Sequence, residues 1–147
     1  MEKINFKIAT SERVVFKGNV DSVTLPTRTG EITILPNHIP LISVLTPGVI
    51  TVRHDGEELI LATSGGFVEV LSSKVVVLAD SAEKSEEIDI LRAEAAVARA
   101  KDLREIRSTD VREFAALSAQ IAKEVARVKV GRKHASRIDR QGKALGN

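Results

Sequence analysis

Apolar side chains alternate with polar ones along most of the first 80 residues: Ile4, Phe6 and Ile8, then Val23 and Leu25, then Ile32 and Ile34. Successive side chains of a strand point to opposite faces, so this period of two predicts half-buried sheet. Asp55-Gly56 separates GVITVRH from EELILATS. That dipeptide is a strong hairpin signal, because a type I′ turn needs positive φ at both central residues. Further turn chemistry sits at Lys17-Gly18-Asn19, Thr29-Gly30, Pro47-Gly48, Gly65-Gly66 and Ser72-Ser73. About nine short strands without intervening helices predict an antiparallel β-sandwich or flattened barrel.

After Asp80 the pattern changes. Residues 85–107 and 110–130 contain neither glycine nor proline and are rich in Ala, Glu, Arg and Lys, which predicts two helices. Ser85 with Glu86 and Glu87 would start the first; Ser108-Thr109-Asp110, with Glu113 three residues beyond Asp110, marks a break and the cap of the second. Each would be about 30 Å long, and the short connection makes them an antiparallel hairpin. One face of the second carries Phe114, Ser118, Ile121, Val125 and Val128, and beyond Gly131 the low apolar content predicts a fraying tail. The fold class is α+β in sequence order: a β-sandwich over 1–82, a helical hairpin over 83–130, and a basic flexible tail over 131–147. Ten alanines lie between Ala93 and Ala126. Burying alanine yields far less than the roughly 1.5–3 kcal/mol of a larger apolar side chain, so the hairpin should dock weakly, whether as a movable appendage or as a static one.

Length and composition narrow the function. A chain of 147 residues accommodates one domain with a small appendage. Cysteine is absent, which excludes a disulfide framework and a thiolate nucleophile; His38, His54 and His134 are too dispersed for a metal cluster, and no metal is expected. The longest purely apolar run, Val75 to Ala79, is far short of the roughly 20 residues of a membrane-crossing helix, so no membrane insertion is expected. The N-terminus has acids and no apolar core segment, unlike a secretory signal or transit peptide. Residues 127–147 hold seven bases and one acid, Asp139. With no aromatic side chain in that tail there is no stacking platform, and nucleic acid is not an expected partner. His38 has no partner at triad spacing, and Gly65-Gly66 lacks the helix and lysine of a phosphate loop, so no catalytic residue is assigned.

The segment Gly30-Glu31-Ile32-Thr33-Ile34-Leu35-Pro36-Asn37-His38-Ile39-Pro40-Leu41, followed by Pro47-Gly48, resembles the signature of the epsilon subunit of F-type ATP synthases. Gly65-Gly66-Phe67-Val68-Glu69-Val70 and Leu78-Ala79-Asp80-Ser81-Ala82-Glu83 are similar to two later family motifs, in the same order. The resemblance covers about residues 1–130 and implies a non-catalytic rotor component needing no cofactor. It would be wedged between the gamma subunit and the c-ring, peripheral to the cytoplasmic side of a bacterial plasma membrane. It further implies that the hairpin either folds on the sandwich or extends into the alpha and beta subunits, where it blocks ATP hydrolysis. Gly30 and Glu31 fall where the family meets the c-ring; Pro36, His38 and Pro40 fall where it meets gamma. Taken singly, Gly30 and Pro36 also suit ordinary turns, and His38 an ordinary loop. The alternative from another class is a free-standing β-sandwich ligand-binding module with a helical appendage.

Ile88-Asp89-Ile90-Leu91-Arg92-Ala93 is similar to the IDxxRA motif by which some bacterial epsilon subunits bind ATP. By that resemblance Glu83, Ile88, Asp89 and Ala93 would surround base and ribose, and Arg92 and Arg99 would reach the phosphates of a regulatory ATP. The helical wheel places Ile88, Leu91, Ala95, Leu103 and Ile106 in one arc that also holds Arg92 and Arg99, and a cation on a burying face calls for an anion. The second helix departs from the ATP-binding pattern, with Ala122 and Ala126 where those members carry arginine, and Arg127 one position beyond. The competing reading is plain helix electrostatics, with Asp89 paired to Arg92 and Arg99 to Asp102. In the extended state, Arg127, Lys129, Arg132 and Lys133 would be carried toward acidic loops of the beta subunits; as a solvated tail they would do nothing.

Overall fold

The computed structural model describes residues 2–106 and 110–145. Strands β1 (Ile4–Ala9), β2 (Val14–Val20), β3 (Ser22–Thr27), β4 (Gly30–Ile34), β5 (Leu41–Leu45), β6 (Gly48–His54), β7 (Glu57–Thr63), β8 (Gly66–Val70), β9 (Lys74–Ala79) and β10 (Ala82–Lys84) precede helices α1 (Ile90–Ile106) and α2 (Val111–Leu145). Their order is β10-β7-β6-β3-β5-β8-β9-β1-β2, with β4 on β3. Pairing is antiparallel except between β1 and β9. A single pair, Thr27 with Leu45, joins the layer β10-β7-β6-β3-β4 to the layer β5-β8-β9-β1-β2. The predicted sandwich is therefore present, with ten strands among the described residues.

Alternation explains the core. Ile4, Phe6 and Ile8 from β1, Val23 and Leu25 from β3, Ile50 and Val52 from β6, and Val75 and Val77 from β9 are all buried, each two residues from the next. Asp55 and Gly56 adopt φ of 51° and 80° between the paired His54 and Glu57, the hairpin the dipeptide predicted. Lys17-Gly18-Asn19 is not a turn: it lies inside β2, where Gly18 pairs with Phe6. Phe16 folds across that glycine, 6.0 Å from Phe6 between ring centroids, so its ring replaces the missing side chain and the strand continues. Gly66 is needed for close approach, because its φ is 138° and a Cβ there would lie 2.2 Å from the Leu78 carbonyl oxygen.

The helices depart from the expected boundaries. Ser85–Glu87 forms one 3₁₀ turn instead of starting α1, held by the Lys84 N–H donating to the Glu87 carboxylate at 2.8 Å. Asp89 caps α1, accepting the Arg92 N–H on its side chain at 3.2 Å and the Ala93 N–H on its carbonyl at 3.0 Å. Asp110 caps α2 the same way, accepting from the Arg112 N–H at 2.9 Å; the predicted break at Ser108 and Thr109 lies outside the described residues. The buried residues of α1 are Ala93 and Ala100, while Leu91 and Ile106 are each 78% exposed. The apolar arc of the helical wheel is thus not the buried face. Small alanines win that role because they let the two helix backbones approach closely. On α2, Ile121 is buried as expected, Ser118 and Val128 are half-buried, and Phe114 and Val125 are 44% exposed.

Nor does α2 end near residue 130. It runs to Leu145, about 50 Å at 1.5 Å per residue. Gly131 is an interior notch, not a terminus: a Cβ there would lie 2.8 Å from Ile90 Cγ1 and 3.3 Å from Ile88 Cγ2. The turns beyond it are rich in Arg, Lys and Ala and carry an Asp139–Lys143 pair at 3.1 Å. Replacing Gly66 by Ala should cost at least about 2 kcal/mol, since it combines an unfavourable φ with a backbone clash. A urea-unfolding midpoint equal to that of the parent chain would refute this.

Candidate functional site

One outer sheet face is apolar. On β5, β8 and β9 the outward positions form two cross-strand rows, Val44–Phe67–Leu78 and Ile42–Glu69–Val76. Ile42 is 76% exposed, Leu78 61% and Phe67 58%. A contiguous patch of large apolar side chains on rigid strands is costly to leave in water and marks an interaction surface. Sequence reasoning did not single out these residues. Their signal was present in strands that are apolar on both faces, such as LISVL and KVVVLA.

The predicted interface residues fall at the two ends of β4. Gly30, with φ of 118°, closes the β3–β4 hairpin, where Thr27 Oγ1 donates to its carbonyl at 2.6 Å and leaves Glu31 exposed. Pro36, His38 and Pro40 lie beyond the other end of this five-residue strand. That loop is braced: Asn37 takes φ of 63°, its N–H donates to the Ser72 carbonyl at 2.9 Å, and its side chain donates to Glu2. The His38 ring Nδ1 donates to the Ile39 carbonyl at 2.7 Å, and Ile39 stands 75% exposed. The structure does not bring the two groups together; it separates them by the length of β4, roughly 17 Å at 3.3 Å per residue.

The residues assigned to ATP gather only in part. Ile88, Asp89 and Ala93 surround the start of α1, with Ala93 buried and the Asp89 carboxylate spent on the cap. Arg92 and Arg99 are exposed, and neither guanidinium has a carboxylate partner among the described residues. Asp89 meets Arg92 through the backbone N–H, so neither of the two surface ion pairs forms. Glu83 is engaged elsewhere. It accepts from Arg127 Nε at 3.0 Å, while Arg127 Nη1 donates to Glu124 at 2.7 Å. Burial acts against the charge of Arg127, but Glu124 and Glu83 outweigh it and raise its pKa. Glu124 is itself 8% exposed, so the guanidinium is what makes its burial tolerable.

Of the four residues Arg127, Lys129, Arg132 and Lys133, only Lys129 and Lys133 have no side-chain partner among the described residues. Arg127 is committed as above, and Arg132 pairs with Glu94 of α1. With Val125, Val128 and Ser136, the residues Lys129, Arg132 and Lys133 line a shallow groove of about 530 Å³ on α2. No metal-binding group of His, Asp or Glu occurs among the described residues.

The family described as ATP synthase, Delta/Epsilon chain, beta-sandwich domain matches residues 3–85. The ATP synthase epsilon chain of Chloroflexus aggregans is 40% identical over 131 residues, covering 89% of this chain and 94% of that one. This chain belongs to the ATP synthase epsilon-chain family. The Dehalococcoides mccartyi epsilon chain is 50% identical over 101 residues, 69% of this chain and 72% of its relative. Among solved structures, a chain of the Euglena gracilis mitochondrial ATP synthase, OSCP/F1/c-ring, has the same fold, with TM-score 0.76 at 22% identity over 86% of this chain and 79% of that one.

Two measurements test the junction. Arg127→Met leaves Glu124 buried without its cation, and hydrogen exchange should show α2 near Ile121–Val130 losing about 1–3 kcal/mol of protection; unchanged protection would mean that the triad holds nothing. The Lys84 N–H, helped by Arg13 at 2.9 Å, holds the Glu87 carboxyl below its ordinary 4.5 against the effect of burial. A depressed carboxyl contributes stability above its unfolded pKa and loses it as pH falls through the folded value. Carbon-13 titration should place Glu87 below 4.5, and Glu87→Gln should flatten the acid side of the stability curve. A midpoint at or above that value would contradict the geometry.

Proposed function

We propose that this epsilon-family chain is a non-catalytic rotor subunit that joins the gamma subunit of the central stalk to the c-ring and so transmits proton-driven rotation to ATP synthesis. The observation that carries the reading is the exposed apolar face of Ile42, Val44, Phe67 and Leu78 on rigid strands. Such a face suits a permanent partner rather than solvent. The two braced projections at opposite ends of β4 suit contacts with two different bodies: Glu31 and Gly30 toward the c-ring, and His38 between Pro36 and Pro40 toward gamma. A solved relative of the same fold, 12% identical with TM-score 0.58, comes from a Tetrahymena thermophila mitochondrial ATP synthase assembly titled central stalk/cring. No described helix is long and apolar enough to cross a membrane. The rotor reading places the subunit peripherally, on the cytoplasmic side of a bacterial plasma membrane.

The hairpin supplies regulation in this reading. Folded on the sandwich it permits turnover; extended among the alpha and beta subunits it blocks hydrolysis, with Lys129 and Lys133 free to meet acidic loops. ATP at the head of α1 is a second layer of the proposal, favoured by the guanidiniums of Arg92 and Arg99, which have no carboxylate partner among the described residues. They stand seven residues apart on one helix, about 10 Å along its axis. An ATP-selective ligand would stabilise whichever hairpin state binds it better.

Co-purification with the gamma subunit tests the rotor role. The parent chain should be retained, and Phe67→Asp or Ile42→Asp should weaken binding at least tenfold by burying a charge in the contact. A chain that ignores gamma altogether would return the reading to a free-standing ligand-binding module. Calorimetric titration with ATP and with ADP, repeated on Arg92→Ala, tests the nucleotide. Binding that prefers ATP and disappears in the variant supports gating, and no heat at millimolar ATP removes it.

A further inference from the structure

We propose that the part of α2 beyond Gly131 is a charge clasp that holds the hairpin folded on the sandwich, with Arg137 on Glu58 as its catch. It deepens the rotor reading by naming what sets the hairpin's release in this chain. The apolar joint between hairpin and sandwich is thin: Val130 packs on Ile60 and Ala62, flanked by Val49 and Ile88. The hairpin lies on the sheet through α2, over β6 and β7, while α1 packs on α2. So little buried area calls for additional fastening.

Two arginines of α2, Arg127 and Arg137, provide it across the joint, and a third, Arg132, ties α2 to α1. Arg127, Arg132 and Arg137 are five residues apart, and at 100° per residue each step turns the side chain by about 140° around the helix. They therefore reach three different elements: Glu83 on β10, Glu94 on α1 and Glu58 on β7. The Arg137 contact has two points, with Nη1 donating to the Glu58 carbonyl at 3.1 Å and Nη2 to its carboxylate. Glu58 is also held by Arg53 at 3.4 Å, so the acceptor is pre-positioned. Gly131 provides the register, since only a residue without Cβ lets Ile90 and Ile88 seat against the helix there. These pairs are partly exposed, and mobile ions screen such charges over about 8–10 Å. Release should therefore respond to ionic strength without requiring nucleotide.

The chain contains no cysteine, so a single introduced thiol reports opening. Ala62→Cys places it 3% exposed beneath Val130, and its rate of modification by a soluble thiol reagent in the isolated full chain measures how often the hairpin lifts. Glu58→Gln and Arg137→Gln should each raise that rate about two- to fivefold, and the double variant should be no faster than the faster single one. Raising salt should speed the parent more than the double variant. Equal rates in parent and single variants, multiplying effects in the double, or an unchanged rate after deletion of residues 132–147 would overturn the clasp. Ile60→Cys, 4% exposed at the same joint, repeats the measurement if Ala62→Cys disturbs packing. The rate needs no stalk partner, so a chain that binds gamma while ignoring Arg137 loses only the clasp, and one that fails to bind gamma but responds to Arg137 loses only the rotor reading.

Discussion

Val130 closing over Ile60 and Ala62 is the joint on which the rest of this structure depends. On one side of it stands a sandwich whose core interlocks Phe6, Ile8, Leu25, Ile50 and Leu61 from both layers, at essentially zero exposure. On the other stands a hairpin of two helices packed largely through alanine. Apolar burial scales with area, so cohesion within the sandwich far exceeds cohesion across the joint. Local opening follows the weakest interface, so in the proposed reading hairpin release would be the low-energy motion of the chain. The polar groups at the joint, Glu83, Glu124, Arg127 and Glu58 with Arg137, then decide how low.

The sandwich was legible because period-two alternation and turn chemistry agree. Asp55-Gly56 tolerates positive φ at both positions, as a type I′ turn requires. Gly18 misled for a tertiary reason: a glycine inside an edge strand looks like a turn until Phe16 is seen folding across it. The helical half was legible in type and less so in its limits. Asp89, rather than Ser85, caps α1 because Glu87 is drawn back to the Lys84 N–H and tightens the preceding residues into a 3₁₀ turn. Gly131 looked like a terminus; it is interior because Ile88 and Ile90 need the space, a contact about 40 residues distant in sequence that no local signal carries.

The candidate site was legible where it lies on loops and illegible where it lies on surfaces. Gly30, Pro36 and Pro40 announce themselves through backbone constraint. The face of Ile42, Phe67 and Leu78 does not, because an apolar outward position in a strand reads as core until a second layer is found to cover only the other side. The helical wheel of α1 failed for a related reason. It weighted side-chain size, and the packing selected for its absence. With the small side of α1 against α2, Arg92 and Arg99 face solvent, and the argument that they need an anion because they are buried no longer applies. What remains is their lack of a carboxylate partner among the described residues.

The two outer faces of the sandwich divide the labour. The apolar rows of β5, β8 and β9 belong to one layer, and the positions under α2, Ile60 and Ala62 on β7 with Val49 on β6, belong to the other. A partner seated on the first face therefore neither covers nor uncovers the second. In the proposed reading the hairpin could lift without breaking a docked contact, and docking need not expel the hairpin. Coupling between the two would have to pass through the core, where close-packed side chains such as Val23, Leu25, Val68 and Val77 offer a single arrangement. The architecture thus puts the exposed apolar face and the seat of the hairpin on opposite sides of the sandwich. In the proposed rotor reading, that separation would let the subunit stay attached to the stalk while its helices change state.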